Sequence, residues 1–419
     1  MKRENRLRYM IKDGLLDIFT IWLDEMKKAL RDDGVRIFFF LVPFGYPLLY
    51  TFIYNNEVVH EAKMVVVDQA DSYWSREFTR RVNGTADVQV VSTCTDMKEA
   101  KTMLDEKKAY GILYIPSDFE KDLYRGKQTT VSLYVDMSSL LYYKAFLMSA
   151  TEVSLDIGKD LRMHSSPAGS TQLDKIMVEP IPYDSVALFN SQNGFASFLV
   201  PGILILILQQ TLVLGIGLRG GTEREKNRFH TLVPISKHFN GTFRVVLGKA
   251  LTYLMLYIIN CIWVLWIVPR LFSLPQVGNP MTAVLFLLPF LFACIFFAMT
   301  LSGIIATREA AMVYVFTSVI MIFISGISWP EPAVPPFWKF VGLFIPSTPG
   351  IQGFISINTC GASLSEVSKQ YHLLWLQTGI YFVTTCLVYR YQIIRCHKLV
   401  VRQYRYMKMR RMLEVKQAH

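Results

Sequence analysis

The sequence is short of charge. Only 18% of its 419 residues are Asp, Glu, Lys or Arg, where a soluble chain carries about a quarter. Apolar residues make up 52%, and they come in blocks. An ordinary soluble chain is thereby excluded, and a polytopic membrane protein with one polar domain is indicated. Metal and redox patterns are missing too. The six cysteines, Cys94, Cys261, Cys294, Cys360, Cys386 and Cys396, form no CxxC pair and no Cys/His cluster of zinc spacing. Cys261, Cys294 and Cys386 lie in apolar stretches and read as packing residues. The sequence admits a Cys94–Cys360 disulfide without requiring one.

Nucleotide machinery is absent as well. Gly215-Ile-Gly-Leu-Arg-Gly220 matches G-x-G-x-x-G, but it closes an apolar span instead of following a strand. Gly248-Lys249 resembles the end of a P-loop, yet the glycine spacing is wrong and Ala250 stands where Ser or Thr would bind magnesium. No nucleophile–base pair stands out in the polar domain. No His/Asp/Glu cluster lies inside the spans, as a membrane-embedded enzyme would need. No catalytic residue, cofactor or metal is therefore assigned. Acidic residues are outnumbered, giving a net charge of +11. The basic excess sits at the termini and in loops after Leu218, the pattern of cytoplasmic flanks rather than of a nucleic-acid surface.

What is present begins with Phe195–Leu218, an uncharged run long enough to cross a hydrocarbon core of about 30 Å. Further spans are expected at Ile37–Tyr54, Val245–Val268, Met281–Ala306, Ala310–Ser328 and Leu373–Ile394, six in all. Ahead of the first, residues 1–36 read as a basic amphipathic helix on the cytoplasmic membrane surface, with Leu15, Leu16, Ile18, Phe19, Trp22, Leu23 and Met26 at helical spacing. The span at 37–54 reads as an uncleaved anchor kinked by Pro43 and Pro47. The Lys/Arg-rich flanks, including a basic tail at 395–419, place both termini in the cytoplasm and residues 55–190 outside. The fold class expected is thus an α-helical polytopic membrane protein of six spans with an inserted extracytoplasmic α/β domain, in the inner membrane.

In that domain Met64–Asp68, Val88–Val91, Gly111–Ile115 and Thr130–Val135 read as strands. Helices are expected at Tyr73–Val82, Asp96–Lys107, Asp118–Tyr124 and Ser138–His164. Ser117-Asp-Phe-Glu120 has the form of a capping box. Asp68 and Asp136 end strands, a position that can mark a ligand site, but turn or cap chemistry is the simpler reading of both. Residues 191–394 hold the other five spans, with a cytoplasmic loop at 219–244. Thr307-Arg-Glu309 makes a tight turn between the fourth and fifth spans at the cytoplasmic surface. Residues 329–370, rich in Pro, Gly and Trp, fit short re-entrant or interfacial helices on the outer face.

Two groups of residues are candidate sites. Gln209, Gln210 and Asn260 lie inside spans, where amides must find partners, either as interhelical contacts or along a translocation path. Glu223, Arg224, Glu225 and Lys226, followed by a segment running to Pro234, suit docking to a soluble partner through charges of both signs. A solvated loop explains the same charges. The competing function is a non-transporting membrane receptor or scaffold whose outer domain binds a ligand or envelope partner.

The ordered set of motifs resembles the permease subunit of type-2 ABC exporters, in the subgroup with a large external domain. It comprises Val67-Asp68, Ser75-Arg76, Ile115-Pro116-Ser-Asp-Phe-Glu120, Gly126, Asp136, Phe198-Leu-Val-Pro-Gly202, Arg224-Glu225-Lys226, Gly248-Lys249, Gly326-Ile-Ser-Trp-Pro330, Pro335, Pro346-Ser-Thr348 and Gly361. Asn227-Arg-Phe-His-Thr231 departs from the family's Gly-Thr-x-Glu run, and Asn190-Ser191 from its Asn-Pro. The resemblance implies separate ABC ATPase subunits and a second permease, identical or paralogous. It makes Glu223–Pro234 a coupling helix seated on the ATPase. It also implies contact with membrane lipids, and in some members a periplasmic adaptor and outer-membrane duct.

Overall fold

The computed structural model describes residues 2–55, 59–137, 140–165, 188–190, 194–226, 241–305, 307–329 and 331–417. The chain divides into two compact units, Met1–Asn55 with Phe195–His419, and Asn56–Gly194.

The first unit opens with α1 (Lys2–Arg31) and α2 (Asp33–Arg36), a π-helical turn at Ile37–Leu41, and α3 (Val42–Tyr54). The π turn has a local cause. The Phe39 carbonyl would accept from residue 43 in an α-helix, but Pro43 has no N–H. The kink expected from the prolines is therefore a widened turn within one continuous apolar stretch, Asp33–Tyr54.

The second unit carries four strands, β1 (Ala62–Asp68), β2 (Val88–Cys94), β3 (Gly111–Ile115) and β4 (Ser132–Val135), in the order β2-β1-β3-β4. β1 pairs in parallel with β2 and β3, and β4 closes the sheet antiparallel to β3. Its helices are α4 (Tyr73–Asn83), α5 (Met97–Asp105), α6 (Phe119–Tyr124) and α7 (Leu140–Ser165). Alternate residues of β1 enter different cores. Met64 and Val66 pack with Phe78, Phe119, Phe146 and Ile157, whereas Val65 and Val67 pack with Ala100 and Ile112. Both faces are covered, which explains why Met64–Val67 of β1 is a continuous apolar run instead of an alternating one.

Two local expectations change. Ser117 does not cap α6: Asp118 stands at the N-cap position and makes no side-chain bond there. The capping box is at α4, where Ser72 and Ser75 exchange backbone and hydroxyl bonds. Asp68 accepts from the Ala70 and Asp71 amides and from the Ser75 hydroxyl at 2.9, 3.1 and 2.6 Å, which is turn and cap chemistry.

The first unit resumes with α8 (Phe195–Glu225), α9 (Gly241–Ile262), α10 (Val268–Leu271), α11 (Pro280–Ser302), α12 (Thr317–Ile324), α13 (Pro336–Gly342), α14 (Ser347–Asn358) and α15 (Ser368–Gln417). Among the described residues, four stretches are long and apolar enough to cross a membrane: Asp33–Tyr54, Phe195–Glu225, Gly241–Leu271 and Pro280–Ser302. The span expected at Ala310–Ser328 is instead a 3-10 helix, Glu309–Phe316, continued by α12, and is shorter than a crossing needs. α13 and α14 form a pair bent by 87°, broken at Pro346. α15 covers Leu373–Ile394, where a span was expected, but is not among those four apolar stretches; it runs on without interruption into the basic tail.

α8 is the centre of this unit: from Ala196 to Glu223 every residue but Phe198 is buried. Close approach is what buries it. A Cβ on Gly215 would lie 2.0 Å from the Phe39 ring, one on Gly217 would lie 2.9 Å from Ile305, and one on Gly220 would lie 2.9 Å from Ser302. The glycines of the false dinucleotide motif are thus packing positions.

Candidate functional site

Helical geometry builds the site at the end of α8. The apolar span does not stop in a loop at Arg219, as its charges suggest, but stays helical to Glu225. Arg219 and Glu223 therefore lie one turn apart on the same face. That face meets two others. On α1, Glu25 continues the stripe of Ile18, Ile21 and Trp22 that turns toward α9. On α9, Lys249 sits beside Gly248, where a Cβ would come within 2.8 Å of Ile21. The Thr252 hydroxyl donates to the Trp22 carbonyl at 3.1 Å and fixes the same contact.

The result is a neutral cluster of two acids and two bases, every one of them at most 5% exposed. Lys249 Nζ lies 2.7 Å from Glu223 Oε2 and 3.3 Å from Glu25 Oε2. Arg219 reaches Glu25 at 3.1 Å and Glu223 at 3.2 Å. Tyr253 Oη donates to Glu25 Oε1 at 2.8 Å, and the ammonium of Lys249 lies 5.6 Å from the centre of the Tyr389 ring on α15. Burial alone would raise the Glu25 pKa. Lys249, Arg219 and the Tyr253 hydroxyl outweigh it and hold the carboxyl down at about 2. The cluster contains no activated nucleophile, and no group of metal-binding side chains occurs among the described residues. Its chemistry is fastening: it ties α1, α9 and α15 to the charged end of α8.

The charges expected to dock a partner are divided by this arrangement. Glu223 points inward, because position 223 follows Arg219 by one turn. Arg224 donates to the Gly303 carbonyl. Glu225 is exposed but accepts from the Arg308 amide at 2.7 Å. Arg308 in turn pairs with Asp32 at the end of α1, at 2.7 Å. Lys226 is exposed at the helix end. Pro234 lies outside the described residues. Sequence reasoning overlooked Glu25, Arg219, Lys249 and Tyr253. The available signal was a charge on an apolar stripe: Glu25 within the amphipathic helix, and Lys249 within an apolar span.

The span amides connect helices. Gln209 and Gln210 donate to Met321 Sδ on α12 at 3.3 and 2.8 Å, and the Cys294 thiol donates to Gln209 Oε1 at 3.7 Å. Asn260 donates to the Phe39 carbonyl at 2.9 Å, supplying the proton that Pro43 lacks. The same device recurs at the second π turn, Trp263–Ile267, where Pro269 leaves the Leu265 carbonyl open and Gln276 donates to it at 2.8 Å. Gln210 also lines an apolar cavity of about 280 Å³ between α3 and α8, with Tyr46, Tyr50 and Ile207.

Comparison with known sequences decides the family. The profile of the ABC-2 family transporter proteins matches residues 34–387. The chain belongs to that family. This ABC-2 permease is 19% identical over 325 residues to the probable multidrug ABC transporter permease YbhR of Escherichia coli K12, across 76% of this chain and 83% of YbhR. It is 29% identical over 112 residues to the linearmycin resistance permease protein LnrN of Bacillus subtilis 168, across 24% of this chain and 29% of LnrN. The ABC-2 permease is accordingly a multi-pass membrane subunit of an ABC transporter rather than an enzyme, and permeases of this family work with ATP-binding subunits.

Proposed function

We propose that this permease exports an amphiphilic substrate outward across the inner membrane, driven by ATP hydrolysed on separate subunits. It pairs with a second permease, identical or paralogous, and with two ATPases. In this reading both termini are cytoplasmic and residues 55–190 stand outside, available to an adaptor and an outer-membrane duct. The names of the relatives, one a resistance permease and one a probable multidrug permease, favour drug-like or lipid-like cargo.

The observation that carries the proposal is the continuity of α8. One helix runs from the buried centre of its unit to exposed charges at Glu225 and Lys226, and a buried charge cluster clamps that end. A push delivered at 225–240 by a closing ATPase dimer then moves the whole helix instead of bending a loop. Docking falls to Glu225, Lys226 and the segment through Pro234, while Arg219 and Glu223 hold the joint. A path beside α8 passes Gln210.

The test is purification of the tagged chain in nanodiscs from its host. ATPase subunits should accompany it and give substrate-stimulated hydrolysis. The double reversal Glu225→Lys with Lys226→Glu should abolish both at unchanged permease yield. Recovery with envelope partners alone, or unchanged stimulation in the reversal, sinks the coupling reading in favour of a receptor or scaffold.

A further inference from the structure

Arg308 has a seat that a plain turn residue does not need. It lies between α11 and the 3-10 helix at Glu309–Phe316, and two glycines make room for it. A Cβ on Gly221 of α8 would lie 2.8 Å from the Arg308 backbone, and one on Gly34 of α2 would lie 2.3 Å from its guanidinium. A methyl group at either position would displace it. Between these glycines the residue is engaged at both ends. Its amide donates to Glu225 Oε1 on α8 at 2.7 Å. Its guanidinium donates to both carboxylate oxygens of Asp32, at 2.7 and 3.2 Å. Asp32 in turn caps α2, where its side chain accepts from the Val35 amide.

These partners matter because of where each element leads. The apolar cavity of about 280 Å³ has three walls: α8 supplies Ile207 and Gln210, α3 supplies Tyr46 and Tyr50, and α12 supplies Ile322. α2 runs through the π turn into α3, and the 3-10 helix runs into α12. Arg308 thus joins the segments that lead into all three walls. A guanidinium held by two hydrogen bonds to one carboxylate fixes direction as well as distance, so a movement of one partner is passed to the other.

We propose that Arg308 is a positioning residue for coupling: it passes movement of the charged end of α8 to α2 and α3, so that the three cavity walls shift together. This rests on the coupling reading above. The two contacts have separate tasks. The amide binds the turn to α8, and the guanidinium binds α2 to the turn. Gly34 is there to let the guanidinium through.

The experiment uses the full chain with its ATPase subunits in nanodiscs. Magnesium ATP with vanadate is the probe, trapping the closed ATPase dimer, and hydrogen–deuterium exchange is the readout. In the wild type, trapping should change exchange at 219–226, 307–316 and 32–41 together. Arg308→Gln keeps the amide and loses the ion pair. It should leave the responses at 219–226 and 307–316 in place and reduce that at 32–41 about tenfold, the worth of one charge-assisted hydrogen bond. Gly34→Ala should do the same by displacing the guanidinium, although alanine is the better helix former and does not weaken α2. Combining the two should add nothing, because both remove one contact. Suppose 219–226 responds but 32–41 does not in the wild type, or responds equally in both variants. The role of Arg308 is then overturned and the coupling reading stands. Loss of the response at all three segments in Arg308→Gln would overturn it too, showing a general structural part instead. No response to trapping anywhere in the wild-type permease would sink the coupling reading and this proposal with it.

Discussion

Lys249 shows how one buried charge can hold an arrangement together. Its ammonium touches two carboxylates from helices far apart in sequence, and all three groups are out of water. Removing it leaves Glu25 and Glu223 sharing only Arg219. Lys249→Met should therefore destabilise the permease by about 3–5 kcal/mol, the usual cost of orphaning a buried ion, read by denaturant unfolding in mild detergent. Pairing it with Glu25→Gln should recover a large part of that loss, because the surviving charges then balance. A loss no greater than for an exposed lysine such as Lys226 would show that the cluster does not hold the helices. In the sequence Lys249 read as a failed phosphate-loop lysine or a basic flank. Nothing local shows that Glu223, 26 positions earlier, and Glu25, near the start of the chain, turn toward it.

At the scale of elements, two prolines explain two widened turns, and each freed carbonyl is claimed by an amide from elsewhere. Asn260→Leu strips the Phe39 carbonyl of its donor and should cost about 1–3 kcal/mol, the penalty of an unsatisfied buried acceptor. Adding Pro43→Ala restores a backbone N–H at the position that α-helical geometry needs, and should return most of the stability. If the double variant is as unstable as the single one, the donor account is wrong. The existence of apolar helices was legible from hydropathy, and so was the need of Asn260 for a partner. The length of α8 was not: charges after Leu218 suggested a loop. They continue the helix because Arg219 and Glu223 fall on one face and find opposite charges there. The capping box was misplaced for a similar reason. Ser117 has the right spacing to Glu120, but in the structure the cap bonds form at Ser72 and Ser75 instead.

At the scale of the whole molecule, the cluster gives the helical unit a pH dependence with a definite sign. The Glu25 carboxyl has a folded-state pKa of about 2 against 4.5 in the unfolded chain. Its contribution is complete above pH 4.5 and is lost as the pH falls from there toward 2, since protonation removes the acceptor that Lys249 and Arg219 face. Thermal inactivation in nanodiscs should be insensitive to pH around neutrality and should accelerate in that acidic window. Glu25→Gln should flatten the acid limb. An equally steep limb in Glu25→Gln would assign it to other carboxylates.

The sequence by itself determined that the chain is a membrane protein of the ABC-2 permease type. Charge deficit, apolar blocks and the order of short motifs are properties of composition and local pattern, which survive without knowledge of any contact. The Met64–Val67 run of β1 was also legible, because a strand covered on both faces is apolar without alternation. Only the tertiary structure decided which charges face inward and which helices stop short of a crossing. Those depend on which faces meet. A helix fixes the spacing of its side chains, but the partner that receives each of them comes from a distant part of the chain.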